Sequence, residues 1–194
     1  MTDNSLFRLT VCGLDELSQE RANGVSHVLS LLDPEAPEPE ILALYPPHRR
    51  AVLRFHDVIE ARQGAIAPAE ADVARLLAFA REASHAGPAP GHLLVHCHAG
   101  VSRSTAASFL ILAQAHPEWP GRRISDEVLR LRPQAWPNLL ILELGDALLG
   151  RRGEILEAAA SLYRRALLRN PTLAWAMRMG GRGREVRCAH EESA

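Results

Sequence analysis

The chain contains no lysine; all 22 of its cations are arginine. With abundant alanine and leucine, that usage points to a GC-rich coding sequence of bacterial type, an inference about source and not about chemistry. Cysteine is scarce, and Cys12, Cys97 and Cys188 are odd in number and far apart. Such spacing argues against a disulfide framework and fits a reducing cytoplasm. The formal net charge of −1 gives no global attraction to nucleic acid or anionic membrane. Met1 to Thr10 lacks the basic start and apolar stretch of a signal peptide. No apolar run approaches the roughly 20 residues a membrane helix needs. There is no Gly-rich nucleotide motif and no Cys/His spacing for a structural metal, so neither a cofactor nor a metal is expected. What remains, 194 residues with 47% hydrophobic and 23% charged content, suits one soluble domain with a substantial core.

The informative stretch is His96-Cys97-His98-Ala99-Gly100-Val101-Ser102-Arg103-Ser104. His92 to Val95 before it is short, apolar and strand-like; Ser104 to Gln114 after it is Ala- and Leu-rich and helical. A strand, a tight loop and a helix put backbone N–H groups and a helix N-terminus around one anion. Those amides and nearby cations favour a thiolate at Cys97, the candidate nucleophile. Arg103 offers a planar fork that matches two phosphate oxygens. Gly100 permits a sharp turn. Ser104 can donate to the cysteine sulfur and make it a better leaving group. His96 points to the strand face opposite Cys97 and suits an orienting role. The plain alternative is a buried structural cysteine with Arg103 on a solvated face, but Cys, Gly, Arg and Ser all fall in register.

On these residues the chain resembles the cysteine-dependent protein phosphatases, above all the dual-specificity-like and small bacterial tyrosine phosphatases, whose signature is His-Cys-x5-Arg-Ser/Thr. Leu93 to Ser108 matches throughout. Leu131 to Asn138 is similar to the family's segment after the catalytic helix, and Val25–Leu32 and Ala51–Asp57 to the strands preceding the loop. The resemblance spans about residues 6 to 150. It implies a phosphotyrosine protein phosphatase-like α/β fold, with a central, mostly parallel sheet of four to five strands flanked by helices. It also implies a hydrolase acting through a phosphocysteine. Cys97, Arg103 and Ser104 would be catalytic, and His98, Ala99, Gly100, Val101, Ser102 and Arg103 would bind phosphate.

Such chemistry needs a carboxyl to protonate the leaving oxygen and then activate water. Asp57 is the first choice: it ends the alternating run Ala51 to His56, at the sheet edge where open α/β sheets place their sites. Asp33, ending Val25 to Leu32, is the rival, and Asp72 sits inside a helical pattern. The interval from Asp57 to Cys97 is longer than usual for the family. His56 could tune Asp57 or be an ordinary half-exposed histidine.

Along the chain, Leu6–Val11 reads as a strand and Asp15–Ala22 as a short helix capped by Asp15. Asp33 to Pro47, with five prolines and four acids, reads as a surface loop. A helix follows Pro68 and runs to about Ser84, and Gly87–Gly91 breaks it. Later helices are expected over Ser104–Ala115, Ser125–Leu131, Pro137–Leu149 and Glu154–Leu168. Residues 1–170 would form the phosphatase domain. Residues 171–194, with Gly180-Gly181-Arg182-Gly183-Arg184, would be a flexible, solvated tail. Trp119, Trp136 and Trp175 read as packing residues, with Trp136 placed where it could edge the site. Cys12 or Cys188 could serve as a redox partner for Cys97, although a buried small hydrophobe or a free tail thiol is the better account of each.

The loop's variable positions carry no lysine or arginine. A neutral loop holds one phosphate adequately and several poorly, which favours a phosphorylated protein over a polyphosphorylated inositol. Phosphotyrosine is expected, with phosphoserine and phosphothreonine open, because pocket depth separates them. Two alternatives from other classes stand beside this: a catalytically weak module that binds phosphoproteins, and a rhodanese-type sulfurtransferase. The Arg103-Ser104 ending and an upstream acid speak against the latter.

Overall fold

The computed structural model describes residues 7–84 and 91–190. Four strands, β1 (Phe7–Cys12), β2 (His27–Leu32), β3 (Arg49–Arg54) and β4 (Gly91–His96), form one sheet in the order β1-β4-β2-β3. Every pairing is parallel. All six residues of β2 and of β4 are buried, as expected for strands of a parallel sheet covered on both faces.

Side chains along the central strands alternate between two cores. Leu29, Leu31, Leu93 and Val95 join the larger core, built with α2 (Glu70–Ser84), α3 (Arg103–Ala115), α5 (Leu139–Leu149) and α6 (Glu154–Arg169). Val28 and Leu94 face a smaller core with Cys12, Leu17, Leu42 and Tyr45. α3 is buried almost throughout, which its Ala- and Leu-rich sequence permits. α4 (Gly121–Leu131) completes the helical layer. α5 is capped at its start by Asn138, whose side chain accepts from the Ile141 amide, and at its end by Gly150 with φ 64°. These are a standard N-cap and left-handed C-cap.

Several sequence expectations change. The short helix after β1 is a 3-10 turn, Leu14–Glu16, running into α1 (Leu17–Glu20). Its cap is not Asp15; Glu16 reaches back to accept from the Gly13 amide at 2.6 Å. The Pro-rich 33–47 segment is not wholly surface loop, because a 3-10 turn at Glu40–Leu44 buries Leu42 and is followed by buried Tyr45. α4 starts at Gly121, four residues before the expected Ser125. Trp175 is no packing residue; it is 71% exposed. The break expected at Gly87–Gly91 lies, up to residue 90, outside the described residues.

The largest change is at the C-terminus. The segment expected to be a flexible tail forms α7 (Leu173–Met179) and α8 (Gly183–His190). α8 buries Glu185, Val186 and Ala189 against the body. Gly181, at φ 79°, makes the turn between the helices, a backbone conformation glycine adopts without strain. The glycine and arginine content that suggested solvation here builds a turn and ion pairs instead. Residues 191–194 of the expected tail lie outside the described residues. No helix among the described residues is long and apolar enough to cross a membrane.

Candidate active site

β4, β2 and β3 are adjacent and parallel, so their C-terminal ends lie along one edge. Cys97 follows β4, Asp33 follows β2 and Asp57 follows β3. All three line one cavity of about 510 Å³, with His56, Ser102, Arg103, Trp136, Met177 and Arg182 among the other lining residues. Residues 64 positions apart are thus gathered by strand order alone, at the edge where open α/β sheets bind ligands.

The loop from Cys97 to Arg103 is held from outside by its carbonyls. The Leu14 amide donates to the His98 carbonyl (2.9 Å), and the Trp136 amide to that of Val101 (2.9 Å). Arg132 donates from Nε to the Gly100 carbonyl (3.0 Å) and from an Nη to that of Ala99 (3.2 Å). The Ala106 and Asn138 amides donate to the Ser102 carbonyl. With five carbonyls engaged outward, no acceptor among the described residues takes the N–H groups of residues 98–102. This is the arrangement of an anion nest. Gly100 sits at φ 69°, and a Cβ there would come within 2.6 Å of the Cys12 carbonyl carbon and the Gly13 nitrogen. Arg132 is itself fixed by Glu16 at 2.6 Å. That bond holds the Glu16 carboxyl below its usual range and the guanidinium above its own.

Cys97 is 2% exposed, and its Sγ lies 3.2 Å from Ser104 Oγ. Arg103, equally buried, donates from one Nη to Asp33 Oδ1 (2.7 Å) and to the Phe55 carbonyl (2.7 Å). Its Nε has no partner among the described residues. His96 shares a 2.7 Å hydrogen bond with Ser30 on β2, and burial pushes its imidazole down to about 4. It is a neutral linker between strands, facing away from the cavity as its alternation requires. Burial also pushes the neighbouring Cys12 thiol up to about 12.

The Asp57 carboxylate accepts three hydrogen bonds. Ser102 Oγ donates to its Oδ1 at 2.7 Å, Asn138 Nδ2 at 2.8 Å and Arg182 Nη1 at 3.2 Å. Arg182 also donates to Ser102 Oγ (3.0 Å) and grips Glu185 with Nε (2.8 Å) and Nη2 (2.6 Å). Glu185 is fully buried and accepts further from Trp136 Nε1 (2.5 Å) and the Leu139 amide (3.0 Å). Burial pushes its carboxyl upward against the pull of Arg182.

The structure therefore brings together Cys97, His98, Ala99, Val101, Ser102, Arg103, Asp57 and Asp33 as cavity residues. Ser104 touches the sulfur from beneath, and Gly100 shapes the loop from outside. His56 also lines the cavity, its Nδ1 accepting from the Ile66 amide at 2.9 Å. Arg182, Met177 and Asn138 were not expected. Asn138 lay inside the recognised 131–138 segment and was within reach of sequence reasoning. Nothing in the spacing of Met177 or Arg182 could have placed them here.

The overall fold is shared with known structures. Human DUSP28 superposes with a TM-score of 0.57 at 20% identity, covering 74% of this chain and 89% of that one. The PTP-2 phosphatase of Cydia pomonella gives 0.56 at 22%, covering 72% and 84%. PTPMT1, solved in complex with PI(5)P, gives 0.53 at 14%, covering 74% and 91%. This chain has the dual-specificity phosphatase fold. No family model matches it, and no curated protein matches it by sequence. The likeness is one of architecture.

Proposed function

We propose that the chain is a cysteine-dependent phosphatase that hydrolyses phosphomonoesters on proteins, phosphotyrosine first, through a phosphocysteine intermediate. The observation that carries this is Arg103: a buried guanidinium lining the cavity and keeping an unpartnered Nε–H. A buried donor without an acceptor is costly, and a phosphoryl oxygen beside Cys97 would satisfy it. The free loop amides would take the remaining oxygens.

In this scheme Cys97 Sγ attacks phosphorus, the S–P bond forms and the P–O bond to the substrate breaks. Asp57 protonates the departing oxygen. All three donors to Asp57 fall on Oδ1, so Oδ2 is the oxygen suited to carry the transferred proton. Water then attacks the phosphocysteine, Asp57 accepts its proton, and the sulfur departs as a thiolate. Ser104 Oγ, at 3.2 Å, donates to that thiolate as it leaves. Asp33, the rival acid, is bound to Arg103 and is assigned the task of orienting the clamp. The loop contributes no cation beyond Arg103, and Arg182 is taken up by Asp57, Ser102 and Glu185. One phosphate is therefore the natural ligand, which supports a protein monoester.

The test is vanadate-sensitive hydrolysis of an aryl phosphate by wild type, Cys97→Ser and Asp57→Asn, followed by a phosphopeptide panel. Turnover should vanish in the first variant. It should fall in the second, with the acid-dependent limb of the pH profile flattened. Full activity in Cys97→Ser would overturn the mechanism, and preference for a phosphoinositide over every phosphopeptide would overturn the substrate class.

A further inference from the structure

The C-terminal helical pair grips the loop carrying the proposed acid at two points. Arg182, just before α8, donates to Asp57 Oδ1 and to Ser102 Oγ while its other nitrogens hold Glu185. Arg184, two residues further, donates to the Ile59 carbonyl at 3.1 Å and pairs with Glu143 of α5. It also lies 3.7 Å from Glu60. The segment 57–60 is therefore tied to the start of α8 at Asp57, Ile59 and Glu60. The pairing of Arg182 with Glu185 is deeply set: the carboxylate is fully buried and the arginine side chain is 12% exposed. Its two remaining acceptors, Asp57 and Ser102, belong to two different pieces of the site, which are joined directly by the 2.7 Å bond from Ser102 Oγ to Asp57 and braced from outside by Arg182 and Asn138.

We propose that Arg182, anchored by Glu185, is a positioning residue that sets Asp57 against the phosphate-binding loop, making the C-terminal helices part of the catalytic unit. This rests on the phosphatase mechanism proposed above. Each guanidinium nitrogen is occupied by protein: Nε and Nη2 by Glu185, Nη2 also by Ser102, and Nη1 by Asp57. Four of its five N–H donors are thus taken by protein, and its action passes through Asp57. A planar fork meets these demands where a point charge would not.

The prediction concerns the leaving group, since an acid held out of place hurts most where the departing oxygen is most basic. Kinetics on substituted phenyl phosphates would compare wild type with Arg182→Gln/Glu185→Gln, which neutralises the pair without leaving a lone buried charge. The double variant should lose about tenfold to a hundredfold in kcat on methylphenyl phosphate. On nitrophenyl phosphate the loss should stay within about threefold, with vanadate affinity unchanged. Introduced into Asp57→Asn, the same substitutions should add about twofold or less, because both act on one step. Arg182→Lys, which keeps a cation beside Glu185 but removes the fork, is the second variant if the first does not fold. Equal losses across all leaving groups, or full additivity with Asp57→Asn, would overturn the proposal. A wild-type response at residue 182 combined with an impaired Asp57→Asn would overturn it alone, whereas an active Cys97→Ser would remove the mechanism beneath it.

Discussion

Acidification should destabilise this fold through His96. Burial pushes its imidazole down to about 4, whereas in the unfolded chain it titrates near 6.5. Between those values the unfolded state binds more protons, so stability rises with pH across that window. The contribution is complete above pH 6.5 and is withdrawn as pH falls toward 4. From the two pKa values the loss is about 2 kcal/mol by pH 5 and about 3 kcal/mol by pH 4, a sizeable part of a typical domain's stability. His27 and His92 are also lowered, chiefly by burial, and act in the same direction. Glu185, raised by burial, acts in the opposite one, its contribution being present at low pH and lost as pH rises. The wild-type slope alone would mix these terms, so the assay is a comparison. Urea unfolding of wild type and His96→Gln would be followed at pH 7.5 and pH 5, glutamine retaining a partner for Ser30 without a titrating group. The stability gap between the two proteins should shrink by about 2 kcal/mol on acidification. A gap that stays constant would refute the assignment of His96 as a buried neutral linker.

Arg103→Lys should lower kcat/KM on an aryl phosphate by about 10²- to 10³-fold, the usual cost of one lost oxyanion donor. Its loss of the bond to the buried Phe55 carbonyl should appear as about 1–3 kcal/mol in denaturant unfolding. Ser104→Ala should leave formation of the phosphocysteine intact and slow its breakdown. Rapid-mixing kinetics should then show a burst of phenol release followed by slow turnover, and the absence of a burst would tell against the hydroxyl's role. Gly100→Ala places a Cβ 2.6 Å from backbone atoms at positive φ. It should lower the thermal midpoint and abolish vanadate binding, and calorimetry with vanadate titration reads both.

How much was legible in advance varied with the distance over which each feature is decided. The His96–Ser104 loop was readable because its parts are neighbours in sequence: strand, turn glycine, cysteine, arginine and helix start all follow within one local geometry. The strands were readable because the apolar runs at Val28–Leu32 and Leu93–Val95 are too short for helices and are bounded by turn residues. Asp57 and Asp33 could be placed at an edge, since each follows a strand. Which of them meets Ser102 and which meets Arg103 depended on strand order, which local pattern does not encode. The helix boundaries slipped by a few residues where a cap was set by distant contact. At Gly121, for instance, the amide is taken by Glu154 Oε1 at 2.7 Å.

The amino-acid sequence alone determined the set of groups behind the proposed chemistry: a thiol, an arginine fork and a hydroxyl at a spacing that one turn of backbone gathers around a nest of free amides. Tertiary structure decided who surrounds that cradle. The Gly- and Arg-rich stretch at 180–184 has the composition of a solvated tail, because much of its stabilisation comes from partners as far as 125 residues away. Only the folded chain supplies the Asp57 carboxylate, the Ile59 carbonyl and the buried Glu185 pocket that turn those arginines into fixed parts of the site. Composition reports the cost of ordering a segment, and long-range pairing decides whether that cost is met.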